Sequence, residues 1–297
     1  MEFDHAREEA AREKLLRKLA ESPNTKDLHR RLAKCGEEMK LMCIGCCHTR
    51  LVRTRCDLKW CPRCQRALAA RTTDRYKRVM QAATIRWPLF VTFTCQHDDD
   101  DDWNLIRHVR RAHTKLRRLR WFKKAVRGGI VAFEAQNDKG GLHPHAHCLF
   151  DCRWLAITID EPKRGTEREK WQRAARIACN EVADQWSLCL GRKGSVKVRR
   201  VWKRDGGDIG GALAEVVKYS VCGTDLAEMP TRQAVELIRV IDRTRMLCSF
   251  GSLYRHPAIK REKRSAAMCE CGCIDWQPAA MVSQTRRATI VGNVCRK

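Results

Sequence analysis

Six cysteines between Cys43 and Cys64, in a stretch without apolar periodicity, constrain this chain more than any other feature of its sequence. A segment with so little apolar surface cannot build a core of its own, so it is expected to fold around a metal. The alternative, a disulfide framework, belongs to oxidising compartments. Nothing here points to one: no apolar run nears the roughly 18 residues of a membrane span, and the first residues (MEFDHAREEAAREKLLRKLAES) have no signal-peptide core. The expectation is a cytoplasmic protein with reduced thiols and structural zinc. Cys43-x-x-Cys46 and Cys61-x-x-Cys64 have the spacing of a closed, four-thiolate site, with Cys47, Cys56 and His48 as nearby alternative ligands. Cys269-x-Cys271-x-Cys273 either binds metal with Cys295 or forms an exposed tail.

Charge narrows the partner. Sixty Lys and Arg against 35 Asp and Glu leave a net charge of +25 over 297 residues, an excess that answers a polyanion, and nucleic acid is the leading one. The densest run, Arg107, Arg110, Arg111, Lys115, Arg117, Arg118, Arg120, Lys123 and Lys124, lies on a helix predicted over about 103–125, with Trp103 and Trp121 near its ends for base stacking. The acidic run Asp98 to Asp102 precedes it, where carboxylates oppose the positive end of a helix dipole or form a second metal site.

The order of elements predicts an α+β fold: a central antiparallel sheet with flanking helices, plus an N-terminal cysteine-rich zinc-binding segment. Residues 5 to 34 read as an exposed helical arm, and a helix is expected over about 65–83. Leu89 to Thr94 reads as a strand. Gly129 to Ala135 and Pro144 to Phe150 read as adjacent antiparallel strands, because Asn137-Asp138-Lys139-Gly140-Gly141 between them is hairpin punctuation. Further helices are expected over 167–189, 209–222 and 230–246, and a strand over 195–202. The corresponding domains are a helical arm (1–38), a zinc-binding segment with its linking helix (39–84), the main α+β domain (85–255) and a cysteine-containing tail (256–297).

On a strand, residues two apart share a face, so His145 and His147 present two imidazoles side by side. Glu134, across the predicted hairpin, reaches the same face in a suitable register. Two nitrogens and one carboxylate suit Mn²⁺ or Mg²⁺ with open positions for substrate. His143 is an outer-shell or phosphate-contacting candidate. Of three tyrosines, Tyr76, Tyr219 and Tyr254, only Tyr219 has a carboxylate, Glu215, four residues before it on a helix, with Lys218 adjacent in sequence. A phenol near pKa 10 attacks well only when a base, cation or metal stabilises its anion.

Phe90-Val91-Thr92-Phe93-Thr94, then Gly141-Leu142-His143-Pro144-His145-Ala146-His147-Cys148-Leu149, then Glu215-Val216-Val217-Lys218-Tyr219 resembles the three ordered motifs of the HUH endonucleases. More narrowly, the chain is similar to the rolling-circle replication initiators of small bacterial plasmids, over roughly residues 40–255. Cys56 through Cys61-Pro62-Arg63-Cys64 is similar to a cysteine-rich region of that family. The resemblance implies that His145 and His147 hold the catalytic ion, with Glu134 as third ligand. It also implies that Tyr219 is the nucleophile and that Glu215 activates water or a second strand transfer. The position three residues after the tyrosine, Lys in many relatives, is Cys222, and Lys218 lies about 100° round the helix from Tyr219. A metal-dependent tyrosine DNA endonuclease and strand transferase is implied, nicking and rejoining single-stranded or extruded-hairpin origin DNA and drawing on a host helicase and polymerase. Other readings are a transposase or relaxase of the same superfamily, or a non-enzymatic zinc-dependent nucleic-acid-binding regulator. A relaxase usually carries its tyrosine ahead of the histidine motif, which here would leave Tyr76.

Overall fold

The computed structural model describes residues 5–96, 104–138, 141–152, 155, 165–201, 209–218, 223–259, 269–271 and 276–279. The chain divides into two compact units: residues 1–29 with 57–260, and residues 30–56 with 261–297.

The larger unit is built on a five-stranded antiparallel sheet in the order β6-β3-β5-β4-β7. Its strands are β3 (Pro88–Cys95), β4 (Gly128–Asp138), β5 (Gly141–Asp151), β6 (Gly194–Arg200) and β7 (Leu247–Gly251). The central strands are apolar on both faces. Val91, Phe93, Val131, Phe133, Cys148 and Phe150 are buried on one face, and Phe90, Ile130, Ala132 and Leu149 on the other, as expected for strands covered from both sides.

Helices α4 (Leu105–Leu116), α5 (Arg120–Ala125) and α7 (Ala183–Leu190) cover the first face. Ile106, Val109, Ala112, His113 and Leu116 form the apolar stripe of α4, and His113 lies among the rings of Phe93, Phe133, Phe150 and Phe250. Helices α3 (Pro62–Ala82) and α8 (Ile209–Lys218) cover the second face. Tyr76, Val79 and Met80 from α3, and Leu213, Val216 and Val217 from α8, pack with Phe90, Ile130, Ala132 and Leu149.

Several boundaries depart from the sequence expectation. The basic helix is two helices, because the chain turns at 117–119 and Leu119 is extended (ψ 140) where α5 begins. The helix expected over 167–189 is α6 (Glu167–Ile177), a π-helical turn (Ala178–Val182) and α7, which stops at Gly191 in the left-handed region (φ 77). The helix expected over 209–222 is described as α8 and, from Gly223, α9 (Gly223–Glu228). Helix α10 (Thr231–Arg243) ends early, since Thr244 is extended and leads into β7. The N-terminal arm is helical as α1 (His5–Ala20) and α2 (Lys26–Ala33), but α1 is not exposed: Ala11, Leu15 and Leu19 are buried, and Lys14 pairs with Glu228 of α9 at 2.9 Å.

The smaller unit contains a three-stranded antiparallel sheet, β2-β1-β8, of β1 (Glu38–Cys43), β2 (Thr49–Arg53) and β8 (Trp276–Pro278). The cysteine-rich segment therefore includes a hairpin. Its strands alternate exposed and half-buried positions along most of their length, with Glu38 paired to Arg53 at 3.2 Å across the ladder.

Candidate active site

The hairpin of β4 and β5 sets the register on which the site depends. Glu134 lies opposite His145 and Ala132 opposite His147, while Thr92 and Thr94 of β3 lie opposite His147 and His145 from the other side. By strand alternation these side chains share the sheet face that α3 and α8 cover. The face has two parts. Phe90, Ile130, Ala132 and Leu149 sit under the helices; one step along each strand, Thr92, Glu134, His147, His145 and His143 replace them.

The three imidazoles form a row. Ring centroids of His143 and His145 are 6.3 Å apart and nearly parallel, and those of His145 and His147 are 5.9 Å apart. Glu134 is buried, and its Oε2 lies 2.8 Å from His147 Nε2. The other nitrogen of that ring, Nδ1, is 3.2 Å from Thr92 Oγ1. A second hydrogen-bonding group on the far nitrogen is the usual means of fixing the orientation of a metal-binding histidine. Thr92 is the residue that sequence reasoning quoted without assigning a role; its register with His147 is what identifies it. The donor set of His145 and His147 nitrogens with a Glu134 oxygen fits a divalent ion that retains open positions.

Helix α8 brings Glu215 against this face. Its carboxylate pairs with the guanidinium of Arg199 on β6, which also lies 4.8 Å from the centre of the Phe90 ring, itself 5.9 Å from His147. The backbone of Lys218 closes the described part of α8; Tyr219 and Cys222 lie outside the described residues, as do the Asp98 to Asp102 run and Trp103. Tyr76 is only 2% exposed, within the α3 and α8 core, which leaves its hydroxyl no route to a DNA strand. Tyr254 is exposed and lies beneath the Arg255 guanidinium.

The cysteines group differently from the expectation. Cys43 and Cys46 meet Cys269 and Cys271, not Cys61 and Cys64, and all four sulfurs lie within 4.8 Å of one another. Cys43 Sγ is 3.6 Å from Cys271 Sγ, and Cys46 Sγ is 3.4 Å from Cys269 Sγ. The cause is the pairing of β1 with β8, which places Cys43 opposite Trp276, a contact invisible from spacing along the chain. Arg50 stacks on the Trp276 ring at 4.2 Å from its centre. Burial opposes ionisation of Cys43, but the backbone N–H groups of Cys46 and Gly45 and the Cys271 and Cys269 thiols outweigh it and bring its pKa to about 6. The backbone N–H of His48 works the other way on Cys46, yet the three neighbouring sulfurs and burial push that thiol up to about 12. Four sulfurs at this separation fit a tetrahedral zinc site. Cys61 and Cys64 open α3 in the larger unit, both buried, and Cys273 and Cys295 lie outside the described residues.

With that geometry in place, the comparison with known families gives a clear result: the profile of the replication-protein family Rep_1 matches residues 49–271, and the chain belongs to that family. It is a replication initiator of the rolling-circle plasmid type. No curated protein and no solved structure matches the chain. Among the described residues no helix is long and apolar enough to cross a membrane.

Proposed function

We propose that this initiator cuts and rejoins one strand of its plasmid origin through a covalent bond to Tyr219, within a nuclease domain spanning residues 85–255. The observation that carries this reading is the Glu134, His145 and His147 set beside the helix that ends at Lys218. A purely DNA-binding regulator has no use for a buried carboxylate 2.8 Å from an imidazole in a row of three histidines.

The chemistry follows from those positions. Tyr219 Oη attacks the scissile phosphorus, the bond to the 3′ oxygen breaks, and the phosphate remains on the enzyme as a 5′-phosphotyrosine. Glu215, held by Arg199, takes the phenol proton, and the leaving 3′ oxygen takes a proton from water to become a free 3′-OH. Lys218 supplies positive charge near the phenolate. His145, His147 and Glu134 hold Mn²⁺ or Mg²⁺, which when bound neutralises charge on the scissile phosphate. Because the phosphodiester is exchanged rather than hydrolysed, the reverse attack by a 3′-OH joins the ends after a round of replication. Cys43, Cys46, Cys269 and Cys271 hold structural zinc. The DNA substrate is single-stranded or extruded at the origin; a host helicase unwinds the duplex and a host polymerase extends the 3′ end.

The test is nicking of a supercoiled plasmid carrying the protein's own origin, with Mn²⁺. Replacing both histidines, His145→Ala with His147→Ala, abolishes nicking and leaves duplex binding within about threefold of wild type, since duplex affinity comes mainly from phosphate contacts. Undiminished nicking by this double variant overturns the reading.

A further inference from the structure

The face of the sheet opposite the histidines carries an open groove of about 610 Å³. It is walled by Arg107, Arg110, Arg111 and Lys115 on α4, by Arg118 in the turn that follows it and by Arg243 at the end of α10; Thr114 and Thr244 complete the lining. Among the described residues no carboxylate and no aromatic ring lines it. Arg107, Arg111 and Lys115 follow the i, i+4, i+8 spacing of one helical face, a row about 12 Å long at 1.5 Å per residue. The apolar stripe of α4, from Ile106 through His113 to Leu116, faces the sheet and leaves this row turned outward.

We infer that this groove holds the sugar-phosphate backbone of double-stranded DNA, so that the duplex rests on one face of the sheet while the cutting chemistry occupies the other. The inference rests on the nuclease reading for its second half only. Two features select duplex over single strand. Sites for single strands pair cations with aromatic platforms on which bases stack, and among the described residues no ring lines this groove. Trp121, the stacking candidate of the sequence reading, packs edge-on against Phe122 and is not part of the lining. Cations with no aromatic and no acidic group contact phosphates irrespective of sequence.

The experiment measures binding of labelled origin duplex over a salt series, using protein carrying Tyr219→Phe so that nicking plays no part and its absence cannot be mistaken for failure here. Three variants are compared: Arg110→Gln/Arg111→Gln/Arg118→Gln in the groove, the corresponding triple Lys variant, and Arg120→Gln/Lys123→Gln/Lys124→Gln on α5, which removes equal charge outside the groove. The groove Gln variant loses about tenfold or more in duplex affinity, and its log-log salt slope falls by about 3. The Lys variant retains the slope, and the α5 variant stays within about threefold. Equal losses in the groove and α5 variants, or a Lys variant as weak as the Gln one, overturn the inference. So does a groove variant that loses single-strand affinity while keeping its hold on duplex.

Discussion

At the scale of single residues, one buried histidine carries a cost that the rest of the core must offset. His113 is fully buried among four phenylalanine rings, and burial, reinforced by the charge of Arg117, lowers its pKa to about 3. The unfolded chain takes up a proton at this ring below about pH 6.5, and the folded protein does so only near 3. The unfolded state therefore binds more protons between those values, and stability falls as pH drops through that window, by up to about 1.4 kcal/mol per pH unit from this residue. Urea unfolding at pH 7 and pH 5 reads the effect: His113→Gln flattens the decline relative to wild type, and an identical pH slope in both proteins would contradict the account. His113 escaped the sequence reading because a histidine inside a basic helix reads as one more surface cation. Its neighbours Val109, Ala112 and Leu116 marked the same stripe as apolar. The histidines of β5 were legible for the opposite reason: alternation along His143, His145 and His147 is a property of the strand itself. Thr92 needed the register of a third strand, which no local pattern supplies.

At the scale of elements, β7 shows how a short strand can be essential and still go unread. Leu247 to Gly251 follows directly on a strongly amphipathic helix, and its five residues look like the frayed end of that helix until Thr244 is seen to be extended. It closes the sheet by pairing with β4, and it ends at Gly251, whose φ of +59 lies in the left-handed region. A Cβ there would sit 2.3 Å from the carbonyl oxygen of Arg127. Gly251→Ala thus combines an unfavourable backbone with a clash against backbone that cannot swing away, and is expected to cost about 1–3 kcal/mol by denaturant unfolding. A loss under about 0.5 kcal/mol, the range of neutral surface changes, would show that β7 is not held in this form. By contrast, β3, β4 and β5 were predicted within a few residues, since β-branched and aromatic runs bounded by hairpin residues leave little choice of structure.

At the scale of the whole molecule, the chain closes its smaller unit with residues from both ends of the sequence. Cys43 and Cys46 lie near one end and Cys269 and Cys271 near the other, and β8 lies beside β1. The pairs were legible as thiols that could hold a metal; their partners were not, because strand pairing, rather than distance along the chain, decides which sulfurs meet. Cys269→Ser with Cys271→Ser is expected to remove one zinc per chain, as measured by elemental analysis of the purified protein, and to lower the unfolding temperature. Unchanged zinc content would exclude this group as ligands. The same long-range logic shapes the proposed active site, where β4 and β5 bring Glu134 beside His147 and α8, packed on the same face, precedes Tyr219 in the chain.

That last relation is the central claim, and a denaturing gel tests it most directly. Protein is incubated with a labelled single-stranded origin oligonucleotide and Mn²⁺, then denatured, for wild type and Tyr219→Phe. The account predicts a covalent protein-DNA adduct with wild type and none with Tyr219→Phe. An adduct that survives in Tyr219→Phe, or no adduct from a wild-type protein that still binds its origin, would contradict it.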